Sequence, residues 1–206
     1  MNKRQAIKWL AKPTVFLLAL LPFAILMWNF LNDELSANPI DDITDETGTW
    51  TLRFLVITLA VTPLKKITGW NSIGLFRRMM GLFAFFYSFL HFSTYIYLDQ
   101  FFEWESIVAD VAKRPFITVG FACFVLLIPL ALTSFNKSVK WLGGKRWTWL
   151  HKLVYLIAIG GVIHYLWLVK ADMQRPLTYG GIVLVLLGIR AYYFLRGKLS
   201  AKLINA

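Results

Sequence analysis

The chain predicts an all-α fold: an integral membrane bundle of six transmembrane helices with both termini cytoplasmic. Three observations predict it. Hydrophobic residues make up 58% of the 206 positions and charged residues only 16%, whereas soluble domains are roughly half apolar and a quarter charged. The apolar residues gather in separate runs near the ~20 residues that a helix needs to cross hydrocarbon about 30 Å thick. The charges segregate by sign into alternate loops. Aromatic residues at 17%, nine of them Trp, suit the interfacial belts of a membrane protein.

The spans are expected at 13–31, 50–64, 79–98, 115–135, 147–169 and 177–195. Each should be helical, because a lone segment in lipid must satisfy its own backbone hydrogen bonds. The first contains Pro22, a kink site. Its apolar region is too long for a signal peptide, and no small-x-small cleavage site follows it. The second run is short, so it either extends beyond its apolar part or sits tilted at the interface. The third follows Arg77 and Arg78 and carries His91. After it, 101–112 reads as an interfacial helix. The fourth holds Pro129 and the single cysteine, Cys123, which makes no internal disulfide and reads as a small packing residue. The fifth carries His151 and His164, with Gly160 and Gly161 between them as a place for bending or close packing. The sixth carries Arg190 near its cytoplasmic end, where it and Lys152 of the fifth are expected to snorkel. No internal repeat or low-complexity tract divides the chain, so residues 1–206 read as one domain.

Charge sets the orientation. Basic residues cluster at Lys3, Arg4, Lys8 and Lys12, at Lys65, Lys66, Arg77 and Arg78, at Lys137, Lys140, Lys145 and Arg146, and at Arg196, Lys198 and Lys202. With six spans these groups share one side, which the positive-inside rule makes cytoplasmic. All 11 carboxylates fall on the other side: Asp33, Glu34, Asp41, Asp42, Asp45 and Glu46 in the first outer loop, Asp99, Glu103, Glu105 and Asp110 in the second, and Asp172 in the third. The net charge of +11 is then a topology signal. It does not indicate nucleic-acid binding, because the bases are split among four groups around the spans. No Gly-rich phosphate loop follows a strand, so no nucleotide fold is visible.

The three histidines carry the chemistry. His91, His151 and His164 all lie in membrane spans, where ionisable side chains are costly and mark functional sites. Imidazole is the commonest side-chain ligand for metals and a standard axial ligand for haem. The third and fifth spans run in the same direction. His91 stands eight residues before Asp99, and His164 six before Lys170. The two should therefore lie at one depth near the outer face, placed to clamp one haem iron as its axial ligands. His151 stands thirteen residues before His164, about 20 Å away along a helix at ~1.5 Å per residue. It is near the inner face, level with Arg77 and Arg78. Those guanidinium groups suit haem propionates, or serve only as positive-inside anchors.

The stretches Arg77-Arg78-Met79-Met80-Gly81-Leu82 with Leu90-His91, and Trp149-Leu150-His151-Lys152-Leu153 with His164-Tyr165-Leu166-Trp167, resemble the third and fifth helices of the ferric-reductase-like transmembrane family. Ala131-Leu132-Thr133-Ser134, Thr62-Pro63-Leu64 and Arg114-Pro115 narrow the likeness to a bacterial branch, the haem-binding membrane subunits of methionine-sulfoxide reductase systems. The resemblance runs over nearly the whole chain. It implies a multi-pass protein of the bacterial inner membrane that passes electrons from quinol of the respiratory pool through haem b. The acceptor would be a periplasmic molybdopterin-containing reductase that repairs oxidised methionine in envelope proteins. It also implies FMN, for which no binding residue can be read. Relatives of the NADPH-oxidase type carry two histidines on each of the third and fifth helices. Here the third has only His91, with Arg77 fourteen residues earlier, which leaves open whether one haem or two are bound. Those relatives also carry a flavin and nicotinamide domain. Here eleven residues follow the last span, so a soluble donor such as a cytosolic flavin reductase is expected to be a separate protein.

The acidic outer loops can dock a partner by charge complementarity or simply be solvated. Rival readings are a cofactor-free transporter using the histidines as a proton relay, a zinc or copper site with a thin ligand set, and a structural subunit.

Overall fold

The computed structural model describes residues 5, 7–169 and 171–204. The expected basic sites Lys3 and Arg4, and the depth marker Lys170, lie outside the described residues, and nothing is described of the side chains of Lys8 and Lys202. Six helices are long and apolar enough to cross a membrane: Trp9–Leu31, Pro39–Thr68, Arg77–Asp99, Pro115–Leu132, Gly144–Leu168 and Gln174–Leu199. They are the first to sixth spans below. The second packs along the third, the fourth along the fifth, and the sixth against the second and fifth. Large apolar side chains point outward all round, Leu17, Phe89, Leu156 and Leu184 among them, as helices in hydrocarbon require.

Two elements differ from the sequence expectation. The second span is not confined to 50–64. It is a 30-residue helix from Pro39 to Thr68, so Asp41, Asp42, Asp45 and Glu46 ride on its outer turns and do not lie in a loop. The start is physically well made. Pro39 occupies the first turn, where its missing N–H costs nothing, and Asp41 and Asp42 face the positive end of the helix dipole. The fifth span is broken. Helix Gly144–Leu150 ends at His151 and a second helix resumes at Leu153, while Gly160 and Gly161 lie in unbroken helix. Gly160 instead allows close packing, since a Cβ there would collide with Cys123 Sγ of the fourth span. The helix expected over 101–112 forms as Trp104–Lys113, preceded by Phe101 and Phe102 at positive φ.

The core joins spans through aromatic rings. Phe54 stacks on Phe83 at 5.4 Å and on Tyr87 at 5.3 Å, with Ala19, Leu127, Leu130 and Ile157 closing around them. A second cluster of Leu52, Leu59, Ala158, Val162 and Val183 joins the second, fifth and sixth spans.

Prolines inside the helices decide where polar groups go. At Pro22 the ladder of the first span opens. The Tyr87 hydroxyl enters it, donating to Ala19 O at 2.9 Å and accepting from Phe23 N–H at 3.1 Å. Ala19 and Phe23 are an i, i+4 pair, so one hydroxyl bridges the helical bond that the kink disrupts. Pro63 has no N–H for the carbonyl of Leu59, and Arg190 Nη2 of the sixth span donates to that oxygen at 2.7 Å. Arg190 therefore does not snorkel. It turns inward because a proline on another span frees an acceptor for it.

Candidate functional site

The C-terminal halves of the third and fifth spans bring His91 and His164 together, with ring centroids 6.1 Å apart and planes at 81°. Imidazole nitrogens bind first-row metals at about 2.0–2.1 Å, so two rings sharing one metal have centres roughly 6 Å apart. The observed spacing of 6.1 Å leaves room for one metal ion between the two rings.

Their hydrogen bonds settle which nitrogen is free. His91 Nδ1 lies 3.0 Å from Thr44 O on the second span, and His164 Nδ1 lies 2.7 Å from Phe116 O on the fourth. A carbonyl only accepts, so each Nδ1 carries the proton and each Nε2 is left with its lone pair. A ligating histidine commonly donates its other N–H in this way, which fixes tautomer and ring orientation. Each ring is thus held by a helix other than its own, and four spans meet at the pair. The residues present fit a metal bound between two imidazoles. Among the described residues no three His, Cys, Asp or Glu side chains converge, which weighs against a zinc or copper cluster.

His151 stands apart from the pair, at the other end of the fifth span. Its ring stacks on Trp147 at 4.0 Å, and its Nε2 lies 3.0 Å from Thr133 Oγ1. Trp147 is anchored in turn by Nε1 donating to Thr133 O at 2.8 Å. The Ala131–Ser134 stretch therefore works as a clamp at the end of the fourth span, and Thr133 engages both aromatic groups. No second histidine faces His151.

What His151 does face is a cavity of about 180 Å³, whose lining includes Arg77, Arg78, Lys152, Tyr155 and Arg190. Arg77 and Arg78 stand where their sequence level puts them. Arg78 donates to Asn136 Oδ1 at 2.7 Å and lies 5.1 Å from the Trp147 ring. Arg190 was the residue that sequence reasoning missed. Nη1 donates to Tyr155 OH at 3.0 Å, and its buried Nε has no partner. Four cations line the cavity without one carboxylate. A cleft lined by charge of one sign attracts the opposite sign, so the cavity suits an anionic group. The signal in the sequence was Pro63 read together with an arginine inside a span.

At the acidic end of the bundle, Arg175 lies 3.5 Å from Asp45 and Arg114 lies 3.2 Å from Asp110. Arg53 donates to Tyr179 OH at 3.1 Å and lies 4.4 Å from the Trp50 ring. Arg175–Asp45 and Arg53–Tyr179 join the second and sixth spans at that end, whereas Arg114–Asp110 closes the end of its own helix. The exposed ones contribute little to stability.

Residues 47–162 match the family model described as ferric reductase like transmembrane component. Among curated proteins, the haem-binding subunit MsrQ of protein-methionine-sulfoxide reductase from Herminiimonas arsenicoxydans is 55% identical over 186 residues, covering 89% of this chain and 85% of that one. The MsrQ subunit of Polaromonas naphthalenivorans is 50% identical over 191 residues, 90% and 87% of the two chains. That of Rhodospirillum rubrum is 47% identical over 193 residues, 94% and 93%.

Proposed function

Because the chain belongs to the ferric-reductase-like transmembrane family, and within it to the haem-binding MsrQ subunits of protein-methionine-sulfoxide reductase, we propose that it is a membrane electron-transfer subunit holding one haem b between His91 and His164. Substrate chemistry belongs to a partner, a periplasmic molybdopterin-containing reductase that repairs methionine sulfoxide in envelope proteins. The electrons come from quinol, or from a cytosolic flavin reductase. The protein sits in the bacterial inner membrane with both termini cytoplasmic, the whole chain forming one haem-binding domain.

The observation that carries this reading is the His91–His164 pair, 6.1 Å between ring centres with both Nδ1 atoms bonded to backbone carbonyls. His91 and His164 would hold the haem, which would supply a one-electron iron couple, and ligation by two imidazoles would favour electron transfer over oxygen chemistry. The Thr44 and Phe116 carbonyls raise the basicity of the two rings through their Nδ1–H bonds. A proton relay fits less well, because both Nδ1 protons are committed to carbonyls and, among the described residues, the further hydrogen-bonding group beside them is the Thr47 hydroxyl, 3.5 Å from His91.

The inner cavity supports an anionic group and not a second macrocycle. Thr133 Oγ1 lies 3.0 Å from Nε2 of His151, and the chain has no fourth histidine to pair with that ring. Arg77, Arg78, Lys152 and Arg190 fit the phosphate of FMN, as the family resemblance implies, with the Trp147–His151 stack as a flat wall beside it.

The test is the visible spectrum of the purified chain. Haem ligated by two imidazoles gives a sharp Soret band that shifts on dithionite reduction. A colourless, correctly folded protein would overturn the reading.

A further inference from the structure

The two histidines of the pair share a feature of their surroundings. A Cβ built on Gly120 would lie 2.7 Å from Nδ1, 2.8 Å from Cε1 and 3.3 Å from Cγ of His164. One built on Gly48 would lie 3.0 Å from Cε1, 3.1 Å from Nδ1 and 3.7 Å from Nε2 of His91. Of the chain's 13 glycines, these two face an imidazole. Each stands four residues after the carbonyl that its histidine bonds: Thr44 before Gly48, and Phe116 before Gly120.

The spacing has a geometric reason. In an α-helix the carbonyl of residue i accepts from the N–H of i+4. The Cα–Cβ bond of i+4 tilts toward the helix N-terminus and overhangs that carbonyl. A side chain from another helix that is to share the oxygen must come in where that Cβ would be. Glycine at i+4 clears the place. We propose that Gly48 and Gly120 are positioning residues, each forming with the carbonyl four residues before it a socket that sets the tautomer and plane of one haem-ligating imidazole. His151, which has no such glycine, gives its Nε2 to a threonine. The inference rests on the haem reading for its functional meaning, but the socket itself is a property of the chain.

Intrinsic propensity works against the observed residues. Glycine inside a helix is less stable than alanine, so alanine here should help the helix if nothing else were involved. Any loss on substitution then comes from the ring that the methyl group displaces.

The experiment compares Gly48→Ala and Gly120→Ala with two controls in the full chain, purified in detergent. Gly188→Ala adds a methyl group in open space, and Gly81→Ala adds one at ordinary contact distance from Thr58, 3.8 Å. Haem affinity by titration of apoprotein should fall about 10- to 100-fold in the socket variants, the usual cost of losing a partner behind a metal ligand. Gly120→Ala should suffer more than Gly48→Ala, as its contacts are shorter. Bound haem should show a changed low-spin electron paramagnetic resonance anisotropy and a shifted midpoint potential, because both depend on ring orientation. Both controls should keep the parent signal and affinity. In apoprotein, ¹⁵N NMR should show the Nδ1–H tautomer of His91 and His164 lost in the matching variant. Should Gly120→Ala fail to accumulate, the milder Gly48→Ala carries the test alone. Unchanged affinity, resonance and tautomer in the socket variants would overturn the proposal, as would an equal change in Gly81→Ala. A parent chain that binds no haem would sink the haem reading separately, and the tautomer measurement would still decide the socket.

Discussion

Replacing Tyr87 by Phe removes one hydroxyl and keeps the ring that stacks on Phe54 at 5.3 Å. What is lost is the bridge across the opened ladder of the first span, from Phe23 N–H at 3.1 Å to Ala19 O at 2.9 Å. Leaving a buried backbone group unsatisfied costs about 1–3 kcal/mol, and two are affected. Interhelical hydrogen bonds measured in membranes are worth only about 0.6 kcal/mol on average, because relaxation recovers part of the loss. Ala19 and Phe23 can also close on each other if the first span straightens. Between these bounds the expected destabilisation is about 1–4 kcal/mol. Reversible denaturant titration of the protein in mixed micelles, followed by tryptophan fluorescence, measures it. The cause can be isolated by repeating the substitution with Pro22→Ala, which removes the kink and lets the helix make its own bond. There the cost should largely vanish, giving a coupling energy of ~1 kcal/mol or more. A change below ~0.5 kcal/mol, which is within the noise of ordinary surface substitutions, would refute the reasoning. So would an equal cost in both backgrounds.

Three further outcomes follow from the same geometry. Arg190→Met should destabilise the chain by about 1–3 kcal/mol by orphaning Leu59 O, and by clearly less in a Pro63→Ala background where residue 63 regains its N–H; a double-mutant cycle by denaturant titration checks this. Arg77→Ala combined with Arg190→Met should weaken FMN binding about tenfold or more, since each charge-assisted hydrogen bond is worth ~1.5–3 kcal/mol; fluorescence titration of apoprotein reads it, and unchanged affinity would place the flavin elsewhere. Thr133→Val should loosen the Trp147–His151 stack, so that the rotational freedom of Trp147 rises in time-resolved fluorescence anisotropy while the haem spectrum stays as in the parent.

Much of this was legible in the sequence because membrane folding is strongly constrained. Runs of some twenty apolar residues gave six spans. The sign of the loops gave parallel third and fifth spans, and similar distances from their ends, eight residues and six, put His91 and His164 side by side. The same argument set Arg77 and Arg78 level with His151. What the hydropathy pattern did not carry was the second helix continuing beyond the hydrocarbon to Pro39. The signals for that start, Pro39 and the Asp41–Asp42 pair, are capping chemistry and not hydropathy. Gly160–Gly161 read as a place for bending or close packing, and close packing is what Gly160 provides, while the break of the fifth span falls at His151, which no sequence signal marked. The inward turn of Arg190 depends on a carbonyl freed on a different span. The role of Gly48 and Gly120 depends on which carbonyl each histidine selects. The last two are tertiary facts, and no local pattern announces them.

The central claim is that one iron is held between His91 and His164. Pyridine-haemochrome quantification per polypeptide, on the parent chain and on His91→Ala, His164→Ala and His151→Ala, tests it most directly. The account predicts close to one haem in the parent and in His151→Ala, and little in the other two. Full haem content with an unaltered spectrum in either His91→Ala or His164→Ala would contradict it.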